Sequence, residues 1–262
     1  MNSDNPYQAP KTVLVEKADP NGDEWSFVEP KSVPVGRAFS WIAEGFRFFK
    51  MAPLIWIVIT IVYFLIMMFS SFIPFATNIL QPMLAGGLML GTHDQDNDNP
   101  LEVRHLFEGF NAAGGKLAIL GALMLGITML AGFILIILMF AGIFAGGIAA
   151  GGTTGAGDGV IITTMIIVIP LVMAILIVFA AVSWFGPPLI ALHDLQVGDA
   201  FKMSLLALKR NLLAIIIFSI VMTFLMLLTV FTLYLGLLVV VPMFIAASYA
   251  SWKDIFTNAS QY

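Results

Sequence analysis

Apolar residues run along this chain in long unbroken stretches, and the lengths of those stretches set the expected elements. A helix needs about 20 apolar residues to cross roughly 30 Å of hydrocarbon. Residues 52–75 fit one crossing. Residues 77–92 are shorter and carry Asn78 and Gln81, so this stretch is the least apolar of the set. Residues 117–147 number 31, too long for one untilted crossing and too short for two. Residues 160–192 contain Pro170 and Pro187-Pro188, and predict one kinked helix with an irregular inner end. Residues 211–252 hold 42 positions without Asp, Glu, Lys or Arg, enough for two crossings at 211–231 and 235–252. The expected fold is all-α, a polytopic transmembrane bundle of six spans over residues 36–256.

Short motifs recur around these spans. Ile42-Ala43-Glu44-Gly45-Phe46, Leu106-Phe107-Glu108-Gly109-Phe110 and Val197-Gly198-Asp199-Ala200-Phe201 each precede a pair of spans. His93-Asp94, His193-Asp194 and Lys253-Asp254 each follow one, and residues 82–94 align without a gap to 242–254. The pattern predicts three copies of one unit, an interfacial helix followed by a two-helix hairpin, with the middle copy enlarged. Helical spacing gives the interfacial helices apolar faces of Ala38, Trp41, Ile42, Phe46 and Phe49, then Val103, Leu106, Phe107 and Phe110, then Val197, Phe201, Leu205 and Leu208. Asn99 and Pro100 supply a cap and first position for the second of them.

Composition agrees with a membrane protein. Apolar residues make up 60% of the 262 positions and charged residues 11%, against roughly 25% in soluble domains. Mean hydropathy is +0.96. A net charge of −4 argues against nucleic acid as a partner, and the absence of cysteine excludes disulfides and thiolate chemistry. Residues 1–35 are rich in Pro, Asn, Asp, Glu and Lys and predict a disordered cytoplasmic tail. The first long apolar stretch begins near Ala52, so the tail does not read as a signal peptide. With a cytoplasmic start and six spans, all 12 Lys and Arg lie inside, as the positive-inside rule requires, and Asp158 is the lone charge outside. Both termini are then cytoplasmic.

Candidate chemistry is sparse. The span interiors hold no Asp, Glu, Lys, Arg or His, which removes the usual machinery of ion-coupled transport and intramembrane proteolysis. His93, Asp94, His193 and Asp194 end spans at one face and form a weak candidate metal set. Helix capping and headgroup anchoring explain them more simply. Asp94-x-Asp96-x-Asp98 lacks the glycine and the closing Glu of a calcium loop, and the Gly-rich run 146–159 lacks the Lys-Ser/Thr of a phosphate loop. Gly87-x-x-x-Gly91 and Gly142-x-x-x-Gly146 allow close helix approach. In the tail, Asn5, Pro6, Tyr7 and Pro10 form a short aromatic-proline segment suited to docking a protein partner. No catalytic residue and no cofactor are expected.

Trp41-Ile42-x-x-Gly45-Phe46-x-Phe48-Phe49, Ala85-Gly86-Gly87-Leu88-Met89, Ala200-x-Lys202-x-Ser204 with Arg210-Asn211, and Tyr249-Ala250-Ser251-Trp252-Lys253-Asp254-Ile255-Phe256 occur together with the Asn-Pro-Tyr start. Together they resemble an uncharacterised family of bacterial inner-membrane proteins across residues 36–256. More loosely, the chain is similar to the membrane domain attached to some glycerophosphodiester phosphodiesterases. The resemblance implies a bacterial inner membrane and a helical bundle, and carries over no catalytic residue. The expected function is therefore non-catalytic, through contacts with membrane lipid or a protein partner. The alternative is a transporter or passive pore for an apolar or neutral solute, with Asn78, Gln81, Thr163 or Thr164 lining its cavity. An enzyme would need His93, Asp94, His193 and Asp194 in one pocket.

Overall fold

The computed structural model describes residues 27–150 and 156–258, with side chains at all of these except 142–165 and 167. The helices are α1 (Arg37–Met51), α2 (Pro53–Ser70), α3 (Ala76–Asp96), α4 (His105–Ala150), α5 (Ala156–His193), α6 (Val197–Leu228) and α7 (Leu237–Phe256). A 3₁₀ turn, Thr229–Thr232, joins the last two. Among the described residues there is no β-strand, only an isolated bridge between Phe27 and Thr257. Five helices, all but α1 and α3, are long and apolar enough to cross a membrane. α3 has the length, 21 residues or about 31 Å. Its polar end, His93-Asp94-Gln95-Asp96, lowers its hydropathy.

Backbone breaks separate each expected interfacial helix from the apolar run that follows. They fall at Ala52 (φ −145°, ψ 60°), Ala113 (φ −148°, ψ 28°) and Asn211 (φ −124°, ψ 21°). These positions lie seven, four and eleven residues past Gly45, Gly109 and Ala200. The three segments thus differ by about one helical turn each, which leaves the break on a similar face. Pro53 opens α2, where its missing N–H costs nothing.

Several sequence expectations are corrected. Asn99-Pro100 does not start a helix; α4 begins at His105, whose Nδ1 accepts the Glu102 N–H at 2.9 Å. Pro187-Pro188 does not make an irregular end; α5 runs through both prolines to His193. The faces expected to be apolar are buried in part: Ala38, Trp41, Phe49 and Leu106 are buried, while Phe46 and Phe107 are exposed. Buried positions are Gly45 and Phe48 rather than Phe46 in the first segment, Leu106 and Gly109 rather than Phe107 in the second, and Ala200, Ser204 and Ala207 rather than Phe201 in the third. Lipid solvates a phenyl ring as well as a protein core does, so Phe46 and Phe107 face outward at no cost while small residues take the closest contacts.

These small residues set the packing. A Cβ at Gly45 would lie 2.8 Å from Ala247 Cβ and against the Met243 carbonyl oxygen. A Cβ at Gly109 would lie 2.7 Å from Gly87 N and against the Met83 carbonyl oxygen. The two contacts use matching positions of the aligned segments 82–94 and 242–254. α6 in turn packs against α5, and α3, α5 and α7 touch one another at the centre. Leu84, Leu88, Phe185, Leu189, Tyr249 and Trp252 are buried there.

Part of the stretch expected to be tail, residues 27–35, is bonded to the helices. Residues 27–36 lie across the break in α6 at Asn211 and the end of α7. Val28 N–H donates to Phe256 O at 2.7 Å and Lys31 N–H to Ile255 O at 2.9 Å. Asn211 accepts from Val33 N–H at 2.8 Å and donates to Lys31 O at 2.9 Å, while Arg210 donates to Pro30 O. Phe27 stacks on His193, ring centroids 4.4 Å apart. Composition marks this segment as tail because its partners lie about 180 positions away.

α3 ends in a Schellman turn. Asn99 N–H donates to Asp94 O at 2.9 Å, and Asp98 takes φ 60°, a left-handed conformation that favours glycine. Asp98 is exposed and pairs with no cation among the described residues. Asp98→Gly is expected to stabilise the fold by about 0.5–1 kcal/mol, read as a rise of a few degrees in detergent melting.

Candidate functional site

Two features carry the polar groups of the bundle. The first is a belt where the ends of α3, α5 and α7 meet α1 and the beginnings of α2 and α4. Asp254 accepts from Arg37 Nε at 2.6 Å and from the buried Trp41 indole at 2.9 Å. Asp96 accepts from Lys253 Nζ at 2.5 Å and from Tyr249 O–H at 3.0 Å, with Arg47 Nη2 at 3.7 Å. Lys116 Nζ donates to Asp194 Oδ1 at 2.6 Å. Gln95 accepts from Trp56 Nε1 at 3.2 Å and donates to Phe48 O at 3.0 Å.

The histidine tautomers follow from their neighbours. The Tyr249 proton goes to Asp96, so its oxygen accepts from His93 Nδ1–H at 3.1 Å. His93 Nε2 is then the acceptor for Asn97 Nδ2–H at 3.3 Å. His105 has the opposite tautomer. Its Nδ1 accepts a backbone N–H, so Nε2 carries the proton and donates to Asp94 Oδ2 at 3.2 Å. A metal needs a ring nitrogen with a free lone pair. Neither ring offers one to a shared centre.

The four sequence candidates therefore go separate ways. His93 joins Tyr249 and Asn97, Asp94 faces His105, His193 stacks between Phe27 and Trp252, and Asp194 holds Lys116. Among the described residues the only trio of metal-capable groups within reach of one another is Asp94, His105 and Glu108. It lies beside a shallow depression of about 670 Å³ that also takes in Asn97, Asn99 and Asn111. Its carboxylates already face His105 and Arg104. Asn5, Pro6, Tyr7 and Pro10 lie outside the described residues.

The second feature is a cavity of about 560 Å³ in the bundle, walled by α2, α3, α5, α6 and α7. Leu88, Met89, Phe179, Met222, Phe244 and Ile245 supply most of its surface, and no charged residue lines it. Tyr63, Gln81, Ser219 and Thr223 bring polar groups to the wall. Ala180, Ser219 and Thr223 line it and are themselves exposed, so the cavity is open to the outside of the bundle. Of the residues expected to line a cavity, Gln81 does. Asn78 instead backs its carbonyl onto Gly121, and the side chains of Thr163 and Thr164 lie outside the described residues.

Sequence reasoning missed Asp96, Tyr249 and Trp56 as partners in the belt, and Tyr63, Ser219 and Thr223 in the cavity. Tyr249 and Lys253 are four residues apart on one helix face, which was a signal. Nothing in the sequence pairs either with Asp96, more than 150 positions away. Comparison with protein-family models, with curated proteins and with solved structures finds no match to this chain.

Proposed function

We propose that this chain is a non-catalytic integral membrane protein of the bacterial inner membrane that acts by holding membrane lipid within its bundle. The observation that carries this reading is the uncharged, mostly apolar open cavity among helices of membrane-spanning length. An apolar chamber at this depth meets hydrocarbon before it meets water. The belt supports a non-catalytic role, because its acids and bases neutralise one another in pairs.

In this reading α3 is a sixth crossing. It is as long as a span and has no exposed residue, so it need not be as apolar as a lipid-facing helix. Three helix-plus-hairpin units then sit in a cyclic array, each leading segment on the second span of the preceding unit. The matched contacts of Gly45 and Gly109 support the array. The basic residues at one end, with the resemblance to bacterial inner-membrane proteins, support cytoplasmic termini.

The second reading is a transporter or pore for a neutral solute, favoured by the same cavity. It needs a route past the Trp56–Gln95–Phe48 closure beside the belt. The deciding experiment is native mass spectrometry of the detergent-purified protein with reporter fusions at Ala112 and Met203. Retained lipid, with both reporters cytoplasmic, is the expected result. A lipid-free protein, or reporters on opposite faces, defeats the proposal.

A further inference from the structure

The cavity contains a specific polar anchor. Among the described residues the Gln81 carboxamide makes no side-chain hydrogen bond, nor do the Tyr63, Ser219 and Thr223 hydroxyls, while Ser248 and Trp184 are spoken for. Ser248 Oγ donates to Phe244 O at 2.8 Å, and the Trp184 indole donates to Ser251 Oγ at 2.9 Å. Hydroxyls on helices can turn back to a carbonyl one turn earlier. A glutamine amide in a hydrocarbon setting has no such local refuge, and leaving it unpaired costs several kcal/mol. Its partner has to come from whatever fills the cavity.

The chemistry of that partner is restricted. With no charged residue in the lining, an ionised group would enter without a counter-ion, so the group beside Gln81 is uncharged. It accepts a hydrogen bond from the amide N–H. The rest of the occupant is apolar, since Ala85, Leu88 and Met89 continue the same wall inward. From Gln81 to Met89 the wall rises about 12 Å, room for the upper part of one acyl chain.

Depth names the source. Gln81 lies five residues inside the start of α3, about 7.5 Å below the hairpin tip that the six-crossing reading places at the outer surface. That is just beneath the level where lipid esters meet hydrocarbon. We infer that Gln81 anchors an ester carbonyl of an outer-leaflet lipid, whose acyl chain enters the cavity and lies along α3. This rests on the lipid-holding reading above and adds the recognised group.

Trp184 lines the cavity and makes the test optical. The full chain in detergent is titrated with phosphatidylcholine brominated on its acyl chains, in ester-linked and ether-linked forms; the ether form has no carbonyl. The signal is the part of tryptophan quenching that Trp184→Phe removes. Wild type is expected to bind the ester form about three- to tenfold more tightly than the ether form. In Gln81→Leu, and in the near-isosteric Gln81→Met, that preference disappears while ether-lipid binding stays unchanged. Equal affinities for both lipids in wild type, or a preference that survives both substitutions, overturns the anchor and leaves the lipid-holding reading standing. No Trp184-dependent quenching by either lipid overturns both.

Discussion

Gly45→Ala and Gly109→Ala are each expected to destabilise the bundle by about 3 kcal/mol or more, although alanine is the better helix former. The added methyl at Gly45 meets the Met243 carbonyl and Ala247, and at Gly109 it meets the Met83 carbonyl and Gly87 N. Carbonyls inside a helix cannot swing aside as a side-chain tip can, so whole helices must separate. The contacts of a close glycine interface are lost together, and in a bilayer such contacts carry much of helix association. Gly115 is the internal control. Nothing lies within 4 Å of a Cβ there, and Gly115→Ala is expected to stabilise by about 0.5–1 kcal/mol. Unfolding in mixed micelles of rising SDS fraction reads all three. Equal stability of the three variants would rule out the interleaved arrangement of α1 on α7 and α4 on α3.

The second large effect concerns Asp254, whose side chain is 7% exposed. Asp254→Ala strips the acceptor from the Trp41 indole and the counter-ion from Arg37. Removing one partner of a fully buried pair costs about 3–5 kcal/mol. Arg37 keeps a quarter of its surface in solvent, which lowers the expectation to about 2–3 kcal/mol. Asp254→Asn retains an oxygen for Trp41 and loses less. The damage is local as well as global: the Val28 and Lys31 amides, bonded to Phe256 and Ile255, are expected to exchange with solvent faster in both variants. Unchanged exchange at those amides would mean that residues 27–36 are held independently of Asp254.

Much of this architecture is legible along the chain. The apolar stretches coincide with α2 to α7, and the paired landmarks at Gly45 and Gly109 mark real contacts with α7 and α3. Legibility fails where a residue's meaning depends on a distant partner. Phe27 and Lys31 read as tail until α7 and Asn211 are in place beside them. His93 and His193 read alike by position, yet one is held by Tyr249 and Asn97 and the other lies between Phe27 and Trp252. Gln81 was legible as polar and misplaced, but its cavity is walled by five helices whose rotation no local signal sets.

The sequence by itself determined which segments are helical and greasy, and that the charges gather between them. A bilayer imposes those properties on every stretch of about 20 residues independently, so they can be read locally. The tertiary structure alone decided which face of each helix turns inward, which acid meets which base, and that a cavity remains among five of the helices. Lipid is as apolar as a protein core, so the hydrophobic pattern of a spanning helix has no preferred direction. Its orientation is set by where small residues let two backbones touch, and that requires both helices at once.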